Sequence, residues 1–309
     1  MTPESLDVPV LFLIFNRPDT TQRVFDEIRK ARPLRLFVAA DGPRKDRPED
    51  SALCQKTREI LRQVDWECNV STLFRDENLG CKHAISRAID WFFSQVEEGI
   101  ILEDDCVPDQ SFFPFCRELL ERYRDDERIM MISGINYLFN RVGIPESYYF
   151  SRYYAIWGWA TWKRAWGLYD IGMTGWPEYD ARNYLNQLYC NKEIVSFLKG
   201  MMEEAYKNTL DTWDIQWVFT CIFNHGLAAC PKYNLVSNIG VSGSHNQEVS
   251  RFHFMPVRGI DTRNLVHPAR VMPDLYLDDI AFETITRGRS GVETIRSLLY
   301  HVKMIGGRR

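Results

Sequence analysis

The chain has 309 residues, of which 45% are hydrophobic and 26% charged, the balance of a globular protein with room for one large domain or two ordinary ones. That balance excludes intrinsic disorder and collagen-like repeats. With 38 Lys+Arg against 42 Asp+Glu and a net charge of −4, it also argues against a general nucleic-acid binder.

No run approaches the roughly 18 uncharged apolar residues of a membrane-spanning helix. The opening MTPESLD lacks the basic-then-apolar order of a secretory signal. The eight cysteines stand 9 to 74 positions apart, without zinc-knuckle or C-x-x-C spacing. Reduced core thiols in a cytoplasmic protein are therefore expected. Charge is uneven along the chain: residues 281–309 carry +4 and residues 1–280 carry −8. Seven of the nine tryptophans fall between Trp157 and Trp217.

In chain order, Val8 to Phe15 (VPVLFLIF) is an unbroken apolar run and reads as a strand buried on both faces. Asn16-Arg17-Pro18-Asp19 breaks it, with Asp19 placed to cap a helix through Val24, Ile28 and Ala31. Leu34 to Ala40 reads as a second strand, stopped by Asp41-Gly42-Pro43. Thr57 to Val64 reads as helix and Asn69 to Phe74 as extended. The turn Asn78-Leu79-Gly80 then precedes a helix with Ile85, Ala88, Ile89, Phe92 and Val96 on one face. Gly99 to Leu102 is a further buried strand that ends in Glu103-Asp104-Asp105. An amphipathic helix from Ser111 to Arg124 and a strand from Arg128 to Ser133 follow.

This alternation predicts an α/β fold with helices flanking the sheet. Ligands of such sheets bind at the carboxyl ends of the strands, where Asn16, Arg17 and the acidic triplet fall. The part from Ile135 onward is more aromatic. It holds AIWGWATWKRAW, a helical region from Tyr179 to Asn208, DTWDIQWVF and PKYNLVSNIGVSGSHNQ, and no flexible linker precedes it.

Three consecutive acids at the end of an apolar strand need a cation or hydrogen-bond donors to offset lost hydration. A solvated turn is one reading. The other is a carboxylate that shares a Mg²⁺ or Mn²⁺ ion with substrate phosphates. Lys82 and His83 lie in the first turn of a predicted helix, where the macrodipole disfavours cations, and Arg87 is one turn beyond His83. A bound phosphate would remove that conflict; a solvated helix start is the alternative.

The segments PVLFLIFNRP, VAADGPR, NLGCKHAI and ILEDDCVPDQSFFPF together resemble the GT-A glycosyltransferases related to N-acetylglucosaminyltransferase I. WGWATWKRAW, WDIQWVF and NLVSNIGVSGSHN resemble still more closely a group of bacterial family 2-like, haemolysin-like sugar transferases in the same superfamily. The likeness spans roughly residues 7–247. It implies a GT-A mixed sheet flanked by helices, with residues 1–135 as the donor half, 136–280 as the acceptor and catalytic half, and 281–309 as a basic tail.

Glu103-Asp104-Asp105 match the E-D-D form of the family's D-x-D motif. The resemblance makes Asp105 the metal ligand and puts Glu103 and Asp104 on the donor sugar and ribose. Arg17 matches an arginine near the nucleotide phosphates, a role suited to its fork of donors, with a surface salt bridge as the plainer alternative. Asp41 matches the acid that hydrogen-bonds uracil; an ordinary Asp-Gly turn is its alternative. Asp214 matches the base-bearing W-D segment. Asp211 would share a helical face with it and is the rival base. His245 follows a Gly/Ser-rich loop with Gly240 and Gly243, from which it could reach the metal or diphosphate. The tryptophans either stack on sugars or pack in the core.

The expected activity is metal-dependent, inverting sugar transfer. A nucleotide-sugar donor, a UDP-sugar such as UDP-GlcNAc, would give its sugar to a hydroxyl of a bacterial cell-surface glycan or lipid-linked glycan, with Mn²⁺ or Mg²⁺. A nucleotidyltransferase should carry a Gly-rich loop where FNRPDT stands. A non-enzymatic sugar-binding module would use the tryptophans instead. In the tail, Val292, Ile295, Leu299 and Val302 at helical spacing among Arg and Lys read either as a docking helix or as a peripheral contact with anionic lipid at the inner face of the membrane.

Overall fold

The structure, a computed structural model, describes residues 5–138, 141–240 and 255–286. His245, Gly243 and the tail beyond residue 286 lie outside the described residues.

Strand β1 (Val10–Ile14) is buried along its whole length. Helix α1 (Pro18–Ala31) follows, then β2 (Arg35–Ala40), α2 (Pro48–Glu59), β3 (Asn69–Phe74), α3 (Gly80–Phe93) and β4 (Glu98–Glu103). Short β5 (Cys106–Pro108), α4 (Phe112–Arg122) and β6 (Ile129–Ser133) complete the first stretch. The second contains β7 (Tyr148–Ser151), β8 (Trp159–Trp162), α5 (Lys163–Trp166), α6 (Trp176–Ala181), α7 (Tyr184–Leu188), α8 (Lys192–Tyr206), α9 (Asp214–Phe223), β9 (Leu227–Pro231), β10 (Val236–Asn238) and α10 (Leu275–Thr286).

Three expectations about element boundaries need correction. The first helix begins at Pro18, with Arg17 rather than Asp19 at its N-cap. Proline's fixed φ suits the first helical position, and Asp19 serves the dipole from within the first turn. The second helix begins at Pro48 for the same reason, well before Thr57, and ends in a 3-10 turn over Ile60–Gln63. The helical region from Tyr179 is three helices. Asn183 in the left-handed region separates α6 from α7, and Asn191 caps α8 by accepting the Glu193 N–H.

Eight strands form one mixed sheet in the order β3-β2-β1-β4-β8-β6-β9-β7. β3, β2, β1 and β4 are parallel, and β8 runs antiparallel between β4 and β6. Ala160 of β8 lies opposite Ile100 on one side and Ile132 on the other. The tryptophan-rich segment therefore supplies a central strand, and the chain's two halves share one sheet.

Strand pleating sends alternate residues to opposite faces. Val10, Phe12 and Ile14 pack with Val24, Phe25 and Ile28 of α1 and with Phe112 and Phe115 of α4. Leu11 and Leu13 pack on the other side with Phe92 of α3, Trp159, Trp166, Trp213 and Trp217. Trp159 stacks on Trp213 at 5.7 Å and meets Trp217 at 5.5 Å between ring centroids. Six of the seven clustered tryptophans are buried and only Trp157 is partly exposed, so the excess is chiefly core. Among the described residues no helix is long and apolar enough to cross a membrane.

Helix α10 is tied to the end of β7 by Asp278, which is fully buried. Its carboxylate accepts from Ser151 Oγ at 2.6 Å and Arg152 Nε at 3.0 Å. Removing one partner of a buried pair leaves the other desolvated. Asp278→Ala should therefore lower the unfolding free energy by about 3 kcal/mol, read as a lower urea midpoint at unchanged m-value.

Candidate active site

Sheet topology singles out one place. From β1 the chain winds through β2 to β3, then returns to lay β4 on the other side of β1, which makes the β1/β4 boundary the switch point where open α/β sheets bind ligands. Leu13 of β1 pairs with Glu103 of β4, so the residues just past both strand ends meet.

Arg17, at the start of α1, extends its guanidinium across this boundary. Nη1 donates to Asp105 Oδ2 at 2.9 Å, and Nη2 and Nε fork onto the two oxygens of Asp104. Asp104 is buried, whereas Asp105 and Glu103 are half-buried. Burial, then Asp105 and Asp104, push the Glu103 carboxyl well up, and Arg17 only partly opposes them. Burial also works against the charge on Arg17, but Asp104 and Asp105 outweigh it and keep the guanidinium protonated.

The second half of the chain closes on the same spot. β10 pairs with β5, with Asn238 opposite Cys106, and Ile239 N–H donates to the Asp105 carbonyl at 2.8 Å. Gly240 then passes so close that a Cβ there would stand 2.4 Å from Asp105 Oδ2. A side chain at this position would displace the carboxylate. Asp214 opens α9, and its Oδ1 accepts from the Thr212 hydroxyl and from Ile215 N–H at 2.9 Å. It is near enough to Glu103 to contribute to that group's raised protonation.

Because α9 begins at Asp214, Asp211 does not share a helical face with it, contrary to expectation. Asp211 instead sits at the start of α3, where its oxygens accept the N–H groups of Cys81 at 2.8 Å and Lys82 at 2.9 Å. The charge conflict that suggested a phosphate beside Lys82 and His83 is thus met by a carboxylate of the chain itself. Lys82 is buried, with Nζ donating to Asn208 Oδ1 at 2.7 Å, and His83 is exposed.

Asp41 is also engaged within the protein. It accepts from Gly42 and Leu79 N–H at 3.0 Å each and from Asn78 Nδ2 at 2.9 Å, which ties the end of β2 to the turn before α3. Burial raises its carboxyl, with these N–H groups pulling the other way. Arg75 follows β3 directly and lies within electrostatic reach of Asp41. Its position directly after the strand Asn69–Phe74 is the sequence signal that marks it.

Asn16 lies at the β1 end but turns away from the acids, its Nδ2 donating to Asp50 Oδ1 at 2.7 Å. Arg44 also holds Asp50, through Nε at 2.6 Å and Nη2 at 3.0 Å.

Chemically, the acids are hard oxygen donors that suit Mg²⁺ or Mn²⁺. Among the described residues no three His, Cys, Asp or Glu side chains form a metal-holding group. The arrangement fits an ion held by one or two carboxylates together with substrate oxygens, the usual mode for these cations.

No family model matches the chain, and no curated protein is similar to it. Among solved structures it is similar to the crystal structure of HddC from Yersinia pseudotuberculosis, with a TM-score of 0.31 and 10% identity over 51% of this chain and 77% of that one. A likeness at that level carries no argument about fold or activity.

Asp50 yields a pH prediction. Burial pushes its carboxyl up, but the hydrogen bonds from Arg44 and Asn16 outweigh burial and hold it below the ordinary carboxylate range. The folded value lies below the unfolded one, so its contribution is present at neutral pH and lost as pH falls. Between about pH 5 and pH 3, unfolding free energy should fall more steeply in the wild type than in Asp50→Asn. Urea melts across that range check this; equal slopes would exclude Asp50 as a source of acid lability.

Proposed function

We propose that the chain is a metal-dependent, inverting glycosyltransferase of the GT-A type. It would move a sugar from a nucleotide diphosphate donor, a UDP-sugar such as UDP-GlcNAc, to a hydroxyl of a bacterial cell-surface glycan. The observation that carries this reading is the convergence at the β1/β4 switch point. There a forked arginine and paired carboxylates come from the first half, and a carboxylate brought by the second, Asp214, lies within electrostatic reach of Glu103. The resemblance noted in the sequence gives those groups their roles.

In this reading Asp105 would hold the ion, and Glu103 and Asp104 would face the donor sugar and ribose. A bound divalent cation would offset charge on the leaving diphosphate. Arg17 would exchange part of its contact with the acids for phosphate oxygens, since its planar fork fits either. Asp214 would take the acceptor hydroxyl proton as that oxygen attacks the anomeric carbon; the bond from that carbon to the diphosphate breaks, and the nucleoside diphosphate departs. Asp41, already committed to the turn at Asn78, would shape the base pocket with whatever acceptor capacity it retains.

A thermal-shift panel of nucleotides with and without Mn²⁺ tests the reading. UDP with Mn²⁺ should raise the melting temperature and Asp105→Ala should abolish the metal-dependent part; equal UDP binding with and without divalent ions would remove the metal role. Asp214→Asn should lower kcat by about 10²- to 10⁴-fold with donor binding near normal. Wild-type turnover in that variant would exclude Asp214 as the base.

A further inference from the structure

We propose that Asp211 is a positioning residue: by capping α3 it fixes the placement of Asp214 against the acidic cluster. The inference rests on the transferase reading above.

Residues 208–214 carry the chain from α8 to α9, and at α3 they are held at two points. Lys82 Nζ donates to Asn208 Oδ1 at 2.7 Å, and the Asp211 carboxylate takes the Cys81 and Lys82 N–H groups, one on each oxygen. Those N–H groups are among the first-turn donors that lack an intrahelical partner, and the positive end of the helix dipole favours an anion there. The cap is therefore a pair of charge-assisted bonds from a carboxylate about 130 residues away in sequence.

Gly80 makes this approach possible. Its φ is +76°, and a Cβ would stand 2.6 Å from Asp211 Oδ2, so a side chain would be strained and would also push the carboxylate off.

Three residues later comes Asp214. The intervening chain is short and also tethered: the Trp213 carbonyl accepts from Tyr169 OH at 3.0 Å, and the Thr212 hydroxyl donates to Asp214. α3 packs on β1 and β2, and β1 is paired with β4, whose last residue is Glu103. A continuous path thus runs from Asp214 through Asp211 and α3 to the strands that carry the acids. With both Asp211 oxygens engaged at the helix start, its effect on the reaction is exerted through Asp214.

The test uses two changes of different chemistry. Asp211→Asn keeps the shape and removes the charge, whereas Gly80→Ala leaves Asp211 intact and obstructs its seat. Turnover is read as UDP released from UDP-GlcNAc, or from the UDP-sugar that the panel selects, with Mn²⁺. A misplacement of the order of 1 Å costs about 10²-fold, so both variants should lose kcat on that scale while KM for the donor and UDP affinity stay near wild type. Asp278→Ala, destabilised at the edge strand β7, should keep its kcat and serves as the control for lost stability. Amide exchange at Cys81 and Lys82 should quicken in both α3-cap variants.

If both variants retain wild-type kcat while Asp214→Asn loses it, the positioning role is wrong and the transferase reading stands. Equal losses in Asp278→Ala also overturn the positioning role, because they would trace to stability. If the wild type turns over no UDP-sugar, the underlying reading fails first.

Discussion

The rest of the site depends on the burial of carboxylates at the tip of β4. Glu103 ends β4 directly after the buried run Ile100-Ile101-Leu102, and Asp104 and Asp105 follow it. The strand cannot be extended into the core without drawing acids partly out of water, at a cost of several kcal/mol for each unpaired charge. Arg17 is the protein's own answer. Its position is set by the sharp exit from β1 and by Pro18, which starts α1 immediately and leaves the arginine at the helix entrance. A guanidinium suits the task better than an ammonium because its planar fork serves two carboxylates at once.

A similar arrangement recurs at α3, with the charges reversed. There the unmet need is that of a helix start bearing Lys82 and His83, and the answer is Asp211 from the other half of the chain. Asp278 plays a comparable part for Arg152 at the end of β7. At all three places a long-range ion pair or cap decides which segments meet, while the apolar faces of the sheet supply the bulk of the stabilisation. The polar contacts act as registration marks on a hydrophobic frame, and two of the three border the candidate active site.

Local signals made the first part of the fold legible. The apolar runs at Val8, Leu34 and Gly99 and the turn residues that end them correspond to β1, β2 and β4, and the acidic triplet stands where the strand pattern put it. The rule about carboxyl ends put Arg17 and the acidic triplet at the same edge of the sheet, but not in contact with each other. Hidden from such reading was everything that depends on partners distant in sequence. Nothing local to Asp211 reveals that its carboxylate will cap a helix starting at Gly80. Nothing local to WGWATW shows that it will lie between β4 and β6. A proline can end a strand or open a helix, and at Pro18 and Pro48 it opens one, which local sequence does not distinguish. Asp41 shows another limit: that its carboxylate ties the end of β2 to the turn at Asn78 and Leu79 depends on residues far along the chain.

The place of β8 in the sheet also bears on how the protein is made. β6 has no neighbour from the first 135 residues; its partners are β8 and β9. A chain that stopped after β6 would carry the strands of the parallel β3-β2-β1-β4 block but no strand to cover the apolar edge of β4 and none to pair with β6. Such an edge is a template for pairing with other chains. The edge of β4 is covered by Trp159–Trp162, which pairs with β6 on its other side, and β6 in turn needs β9 on its far edge, so the segment richest in tryptophan closes the first of two gaps in the sheet.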